Sequence, residues 1–206
     1  EVPISMKEMG IDALAITGHK SLFGPQGIGA LLLSERVNPK PLKLGGSGTG
    51  SHLKEMPDYY PTKLEAGTLN LPGIYGLKAG IDVIRNLGLD QIREKKRKLI
   101  KYLIKGIESI PGVFMYVDEQ GVGILSFYIK GLDMALVCDE LNHKYHICSR
   151  SGAHCAPLMH QALETGDEGL LRFSVSYFNT KEEADTVIKA IREIANTYIK
   201  GVKNGR

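Results

Sequence analysis

The feature that most constrains the fold is an apolar run that ends in a polar tetrad and a glycine-rich turn. Residues 12–16 read Asp-Ala-Leu-Ala-Ile, which has the length and apolar content of a buried strand. The tetrad Thr-Gly-His-Lys follows at 17–20, and the sequence Gly-Pro-Gln-Gly-Ile-Gly at 24–29 is typical of a turn. A second apolar run begins at 28. We therefore predict one strand over 11–16 and another over 28–34.

The side chains of the tetrad suit one kind of cofactor. A lysine at the end of a buried strand is partly desolvated, which favours the neutral amine, a nucleophile toward an aldehyde. The hydroxyl of Thr17 and the imidazole of His19 suit a phosphate group. An amine together with phosphate ligands is what pyridoxal 5′-phosphate (PLP) requires, so Lys20 is a candidate for covalent attachment. A solvated lysine in a turn remains the alternative on this segment alone.

Composition excludes several classes of function. The net charge is only +3 over 206 residues, and the basic run at 93–98 has no interleaved aromatic residues, so we expect no nucleic-acid binding. No stretch approaches about 18 consecutive apolar residues, so we expect no membrane-spanning segment. Three cysteines without a C-x-x-C pair argue against a secreted disulfide scaffold and favour a cytoplasmic protein. We predict no metal site.

The remaining pattern predicts two parts of different character. Residues 35–70 are rich in glycine and proline and predict a long loop region that borders a functional site, with the glycines at 45–50 forming a flexible loop. We predict helices over 73–87, 91–109 and 134–145, strands over 113–117, 123–129 and 170–177, and a last helix opened by a capping box of Thr180 and Glu183. The fold class is therefore α/β over 1–88, followed by an α+β unit over 89–206.

Glycines at 73, 76 and 80 lie on one face of the first predicted helix. Each lowers helix stability relative to alanine, so we expect the face to permit close approach of backbone or cofactor. Just before this helix, Thr68 lies next to a glycine, where free N–H groups and a hydroxyl suit an anion. An ordinary turn residue is an equally good interpretation of Thr68.

The loop Arg150-Ser-Gly-Ala-His154-Cys155 carries the candidate nucleophile. Arg150 and His154 near Cys155 would stabilise a thiolate, and the neighbouring glycine and proline indicate an exposed loop. We interpret Cys138 and Cys148 as buried, inert thiols. Arg172, in the strand predicted at 170–177, either points to solvent or offers its planar fork to a substrate carboxylate.

Taken in order, these segments resemble the C-terminal half of a fold type I PLP enzyme of class V, in the cysteine desulfurase and selenocysteine lyase family. The resemblance covers essentially the whole chain. It rests on four motifs: Thr17-Gly-His-Lys20 with its turn, Glu65-Ala-Gly-Thr68-x-Asn70, Arg150-x-Gly-x-His154-Cys155-Ala, and Arg172-x-Ser-x-x-x-Phe-Asn-Thr180. The short cysteine loop is more similar to the SufS-like branch than to the NifS/IscS branch.

The resemblance implies a role for each candidate residue. Lys20 binds PLP covalently and later moves the substrate α-proton, Thr17 and His19 contact the cofactor phosphate, and Thr68 reaches the cofactor of a partner subunit in a homodimer. Arg172 binds the substrate carboxylate, with Arg150 and Asn70 in support. Cys155 attacks the sulfur of L-cysteine, which leaves a persulfide for an acceptor protein and releases alanine, and L-selenocysteine is the alternative substrate.

The resemblance also has a gap. The family holds the cofactor ring nitrogen with an aspartate farther upstream than the 19 residues that precede Lys20 here. The first residue is not methionine, so we expect a fragment, a processed chain or a sequence whose start is missing. The alternatives to a cysteine desulfurase are a selenocysteine lyase, a class V aminotransferase, or a catalytically inert, dimerising fragment.

Overall fold

The first elements of the fold are two antiparallel strands. The structure is a computed structural model, and it describes residues 2–50, 52–118, 121–166 and 169–203. Strand β1 (Ala13–Thr17) pairs with β2 (Gly29–Leu33), and the register joins Ala13 to Leu33 and Thr17 to Gly29. The apolar runs form these strands because alternate residues of each can share one face. Both predicted strands are confirmed, with ends that differ by one or two residues.

The strand pair is less buried than the sequence predicts. Leu31 and Leu32 of β2 expose 52% and 42% of their surface, and Ala13 and Ala15 of β1 are exposed as well. Within the described residues β1 and β2 form a two-stranded sheet. A fully apolar strand is buried only when both faces of its sheet are covered. The prediction of a buried strand over 11–16 is therefore wrong for this chain.

Residues 35–70 are largely irregular, as predicted, with one short 3-10 helix at Thr62–Leu64 among the residues described there. Helix α1 (Leu71–Leu87) follows, and it begins two residues before the predicted start. The reason is its cap: the Asn70 side-chain oxygen accepts a hydrogen bond from the Gly73 N–H at 3.0 Å.

The chain divides into two compact units, Glu1–Leu89 and Asp90–Arg206, next to the predicted boundary at 88/89. Helix α2 (Leu89–Glu108) leads into strands β3 (Val113–Tyr116) and β4 (Ile124–Ile129). Four elements complete the order: helix α3 (Met134–Tyr145), helix α4 (Pro157–Ala162), strand β5 (Leu171–Ser174) and helix α5 (Lys181–Lys203). The sheet is antiparallel in the order β3-β4-β5, and β5 ends three residues before the predicted end at 177.

The second unit holds a large hydrophobic core. Alternate residues of β4 are buried, Leu125 and Phe127 among them, and they pack with Phe173 of β5 and with the apolar faces of the helices. The predicted capping box is confirmed: Thr180 N–H donates to Glu183 Oε2 at 2.9 Å, and Glu183 N–H donates to Thr180 Oγ1 at 3.2 Å. Among the described residues no helix is both long and apolar enough to span a membrane.

Candidate active site

The candidate cofactor ligands of the first unit share one short turn. Thr17 ends β1, and His19 and Lys20 follow it, all three with exposed side chains. The turn is closed by the Gly18 N–H, which donates to the Ile28 carbonyl at 2.9 Å. A Cβ at Gly18 would lie 2.7 Å from Ile28 Cγ2, so this close approach needs glycine. The structure thus keeps a hydroxyl, an imidazole and an amine together on a hydrogen-bonded turn.

This donor set fits PLP chemically, since it combines one amine for an aldehyde with two side chains suited to a phosphate. The exposure of Lys20 differs from the prediction, however. We expected its amine to be partly desolvated, and in the described chain it is solvent-exposed. The physical reason is the lack of cover over β1 described above, so this expectation is wrong for the chain as it stands.

Glycines of α1 hold the helix against the turn that carries Lys20. A Cβ at Gly76 would lie 2.7 Å from the Pro25 ring, and a Cβ at Gly80 would overlap the Leu22 carbonyl oxygen. The prediction that this glycine face permits close approach is confirmed, and what approaches is backbone and a proline ring. The small residues of α1 therefore fix the position of the turn.

Thr68 and Asn70 lie in the segment that enters α1. Thr68 is exposed in a bend, and the preceding Gly67 N–H donates to the Gly46 carbonyl at 2.7 Å. The Asn70 side chain caps α1 and also donates to the Gly27 carbonyl at 3.4 Å. Asn70 thus ties the helix start to the turn after Lys20, a structural role that the sequence did not indicate. Its role toward substrate stays a prediction.

The glycine-rich loop at 45–50 lies against that segment through the bond from Gly67 to Gly46. The loop lines an open cavity of about 660 Å³ together with residues such as Leu53, Pro57 and Lys63. Its predicted place at the edge of an active site stays a prediction.

In the second unit, the cysteine loop is joined by backbone hydrogen bonds to β5. Arg150 N–H donates to the Arg172 carbonyl at 3.1 Å, and Arg172 N–H returns a bond to the Arg150 carbonyl at 2.8 Å. Gly152 and Leu170 exchange a second pair of bonds, at 3.1 and 3.3 Å. These bonds continue the antiparallel pairing beyond β5. The two arginines predicted from separate motifs therefore lie directly opposite each other.

Cys155 is exposed at the end of this loop, where its thiol contacts a guanidinium group. Arg150 Nη2 donates to Cys155 Sγ at 3.1 Å, which confirms that Arg150 lies beside the thiol. A permanent cation at this distance stabilises a thiolate. The backbone of Cys155 has φ +59°, a left-handed conformation that turns the chain sharply before α4.

His154 does not provide the second cation that we expected. Its Nε2 lies 2.9 Å from the Arg150 carbonyl oxygen, and because a carbonyl only accepts, this nitrogen carries the proton. Burial lowers the pKa of His154, and the nearby charge of Arg172 adds to the lowering, against the opposing effect of the Arg150 carbonyl. His154 is therefore neutral near pH 7, and the prediction that it stabilises a thiolate by its charge is wrong.

Arg172 has an unsatisfied donor. Its side chain is partly exposed, but its Nε atom is buried and has no hydrogen-bond partner within the described structure. Such a donor calls for a ligand or an ordered water. A carboxylate is a common partner of a guanidinium group, and the contact of Arg172 with a substrate carboxylate stays a prediction.

The other two cysteines have different surroundings. Cys138 on α3 is partly buried, and its sulfur accepts from Ser149 Oγ at 3.2 Å. Cys148 is exposed, so the interpretation of a buried thiol is wrong at that position. The reason is that the chain after α3 turns through His146, with φ +55°, and runs as an irregular segment rather than entering a strand directly.

His160 and Thr165 lie beside the cysteine loop, although no sequence motif indicates them. His160 on α4 exposes only 8% of its surface, and its Nδ1 lies 2.7 Å from Thr165 Oγ1. The ring of His160 packs against that of His154, with centroids 5.6 Å apart. No motif signals this pair, because the contact depends on Glu164, whose φ of +52° turns the chain back toward α4.

Comparison with known proteins shows which family this chain is similar to. The sequence profile of the family described as Aminotransferase class-V matches residues 1–187. A probable cysteine desulfurase of Methanothermobacter thermautotrophicus is 40% identical over 201 residues, which span 93% of this chain and 50% of that protein. A cysteine desulfurase of Salmonella newport is 32% identical over 93% of this chain and 47% of its own length.

Solved structures agree with the sequence matches. The apo structure of a cysteine desulfurase from Thermococcus onnurineus NA1 superposes with a TM-score of 0.82 at 32% identity, over 93% of this chain and 49% of that one. The cysteine desulfurase CsdA of Escherichia coli, in its S-sulfonic acid form, gives 0.78 at 28% identity, over 91% and 47%. The predicted fold class, an α/β part of a fold type I transferase, is confirmed.

The chain thus spans about half the length of the relatives that it matches. The profile match over residues 1–187 includes the lysine turn, the start of α1, the cysteine loop and β5. It therefore includes all four motifs that carry the resemblance. On this evidence the chain belongs to the class V aminotransferase family.

Proposed function

We propose that the whole protein is a PLP-dependent cysteine desulfurase, which takes sulfur from L-cysteine, leaves a persulfide on Cys155 and releases L-alanine. The observation that carries this proposal is the exposed Cys155 thiol, held 3.1 Å from Arg150 Nη2 on a loop paired with Arg172. The relatives named cysteine desulfurase support the same reaction. A cytoplasmic location and transfer of the persulfide sulfur to an acceptor protein belong to this proposal.

The first unit would hold the cofactor. Class V aminotransferases and cysteine desulfurases are PLP enzymes, and the turn after β1 has suitable donors. Lys20 would bind the aldehyde, Thr17 and His19 the phosphate, and Thr68 the phosphate of the cofactor in a second subunit of a homodimer. When bound, PLP supplies the electron sink that allows bonds near the substrate α-carbon to break.

The second unit would bind substrate and accept sulfur. The Arg172 guanidinium, whose Nε has no partner among the described residues, would bind the substrate carboxylate. Asn70 is proposed separately as a substrate-binding residue. Arg150 would stabilise the negative charge of Cys155 as its sulfur attacks, because the guanidinium lies beside that sulfur. Lys20 Nζ would carry the proton of the substrate α-carbon.

The sulfur step balances without an external oxidant. The Cys155 thiolate attacks the substrate sulfur, so a sulfur–sulfur bond forms while the substrate carbon–sulfur bond breaks. The electron pair of the broken bond goes to carbon, which takes up a proton to give alanine. The sulfur atom then remains on Cys155 as a persulfide.

The test uses the full-length protein loaded with PLP and supplied with L-cysteine and a dithiol reductant, which releases the persulfide sulfur as sulfide, and alanine and sulfide are measured together. Cys155→Ala should abolish both products, whereas Cys148→Ala, which removes another exposed thiol of the same unit, should leave them unchanged. Undiminished desulfuration by Cys155→Ala would refute the assignment of the nucleophile. A keto acid in place of alanine would identify an aminotransferase, and turnover confined to L-selenocysteine would identify a selenocysteine lyase.

We also propose that the 206-residue chain by itself associates. Strands β1 and β2 pair only with each other among the described residues, and Leu31 and Leu32 remain exposed. Unpaired strand edges with apolar side chains favour association. Light scattering after size exclusion should show oligomers, and a monomer would contradict the proposal.

A further inference from the structure

His160 is one of only two buried polar or charged residues identified in the described parts of the chain. It is held by three contacts with Thr165: its Nδ1 lies 2.7 Å from Thr165 Oγ1, its carbonyl accepts from the Thr165 N–H at 3.1 Å, and the same carbonyl lies 3.4 Å from Thr165 Oγ1. Burial and these contacts fix the position of the His160 imidazole. The proposed sulfur chemistry makes no direct use of it.

The His160 ring lies beside the strained part of the cysteine loop. His154 and Cys155 have φ of +54° and +59°, two consecutive left-handed residues that are not glycine. Such a conformation costs free energy and persists only where the surroundings enforce it. The ring of His160 packs against the ring of His154 at 5.6 Å and an angle of 48°, so it supplies part of that constraint.

Two further hydrogen bonds link the His154 ring, through Arg150, to the Cys155 thiol. His154 Nε2–H donates to the Arg150 carbonyl at 2.9 Å, and Arg150 Nη2 donates to Cys155 Sγ at 3.1 Å. From these contacts we infer that His160 and Thr165 are positioning residues, which hold the His154 ring so that Arg150 stays on the Cys155 thiol. This inference deepens the proposed function and rests on its choice of Cys155 as nucleophile.

The test measures alkylation of Cys155 by iodoacetamide in the full-length protein, resolved by peptide mapping, from pH 6 to pH 10. Thr165→Val removes the hydroxyl partner of His160 and should slow the reaction at pH 7 by about two- to threefold. The slowing should not exceed that caused by Arg150→Ala. Thr165→Ser, which restores a hydroxyl, should recover the original rate. Labelling of Cys148 in the same sample should stay constant, because its environment is unchanged.

A double-mutant cycle separates positioning from general loosening of the fold. In the Arg150→Ala background, Thr165→Val should have no further effect, since the guanidinium that it positions is gone. His160→Gln provides a second variant, expected to behave as Thr165→Val does. Equal slowing with and without Arg150, or original rates in both variants, would overturn the inference.

Alkylation needs neither PLP nor L-cysteine, so a negative result here leaves the desulfurase proposal standing. The product assay with Cys155→Ala tests that proposal separately. The two failures are therefore distinguishable.

Discussion

The contact between Arg150 and Cys155 leads to a quantitative prediction about Arg150→Ala. The substitution removes the guanidinium that lies 3.1 Å from the thiol, while the backbone bonds between Arg150 and Arg172 do not depend on the side chain. We expect the loop to keep its shape and the thiolate of Cys155 to lose its counter-charge. Alkylation of Cys155 near neutral pH should therefore slow.

The size of the effect follows from the distance and the exposure. Because Cys155 is exposed, the dielectric constant of water is the better choice, and two unit charges at this separation then interact by about 1.3 kcal/mol. An energy of that size corresponds to about a tenfold change in a rate constant. A thiolate without the neighbouring charge is about threefold more nucleophilic, given a Brønsted coefficient of about 0.45. The net slowing should be about threefold.

The assay follows iodoacetamide labelling of each cysteine at pH 7 and at about pH 10, where ionisation is no longer limiting for a free thiol. Arg150→Lys keeps the charge and should lie between the original protein and Arg150→Ala. Cys148, exposed on the same unit, is the internal reference. The electrostatic reasoning is refuted if Arg150→Ala labels Cys155 at the original rate at pH 7, or if its slowing persists unchanged at the higher pH.

Three further predictions concern stability, each measured by urea unfolding of the full-length protein. Gly80→Ala should lower the free energy of unfolding by about 1–3 kcal/mol, despite the better helix propensity of alanine, because the new Cβ overlaps the Leu22 carbonyl. The control is Asn86→Ala at an exposed position of the same helix, which should change the free energy of unfolding by less than about 0.5 kcal/mol. Equal effects of the two substitutions would contradict the packing argument. Thr180→Ala should cost about 1 kcal/mol through loss of its cap, and a neutral result would show that the capping box contributes nothing. Burial lowers the pKa of His154 below 6.5, so below that pH the unfolded chain takes up a proton there that the folded chain does not. The free energy of unfolding should therefore fall as the pH drops below about 6.5. His154→Asn should show a smaller fall, and an identical pH dependence would contradict the assignment.

Much of the fold follows from local patterns in the sequence. The alternation of apolar residues in β4, the capping box at Thr180 and the glycine-bounded turn after β1 act within a few residues, so they predict elements close to their observed bounds. The burial of β1 could not be predicted in this way. A strand is buried by what covers it, and the cover depends on neighbours that the run itself does not encode.

For the candidate site, the sequence by itself determined which chemical groups are present: an amine, a hydroxyl and an imidazole on one turn, and a thiol with an arginine five residues before it. Only the tertiary structure decided how those groups act. It pairs Arg150 with Arg172 across a backbone bridge, and it turns the His154 imidazole onto a carbonyl, where burial keeps it neutral. It also packs His160 behind that ring. Spacing along the chain fixes which side chains can meet, but charge state and hydrogen-bond partners depend on burial and on residues that are brought close only by folding.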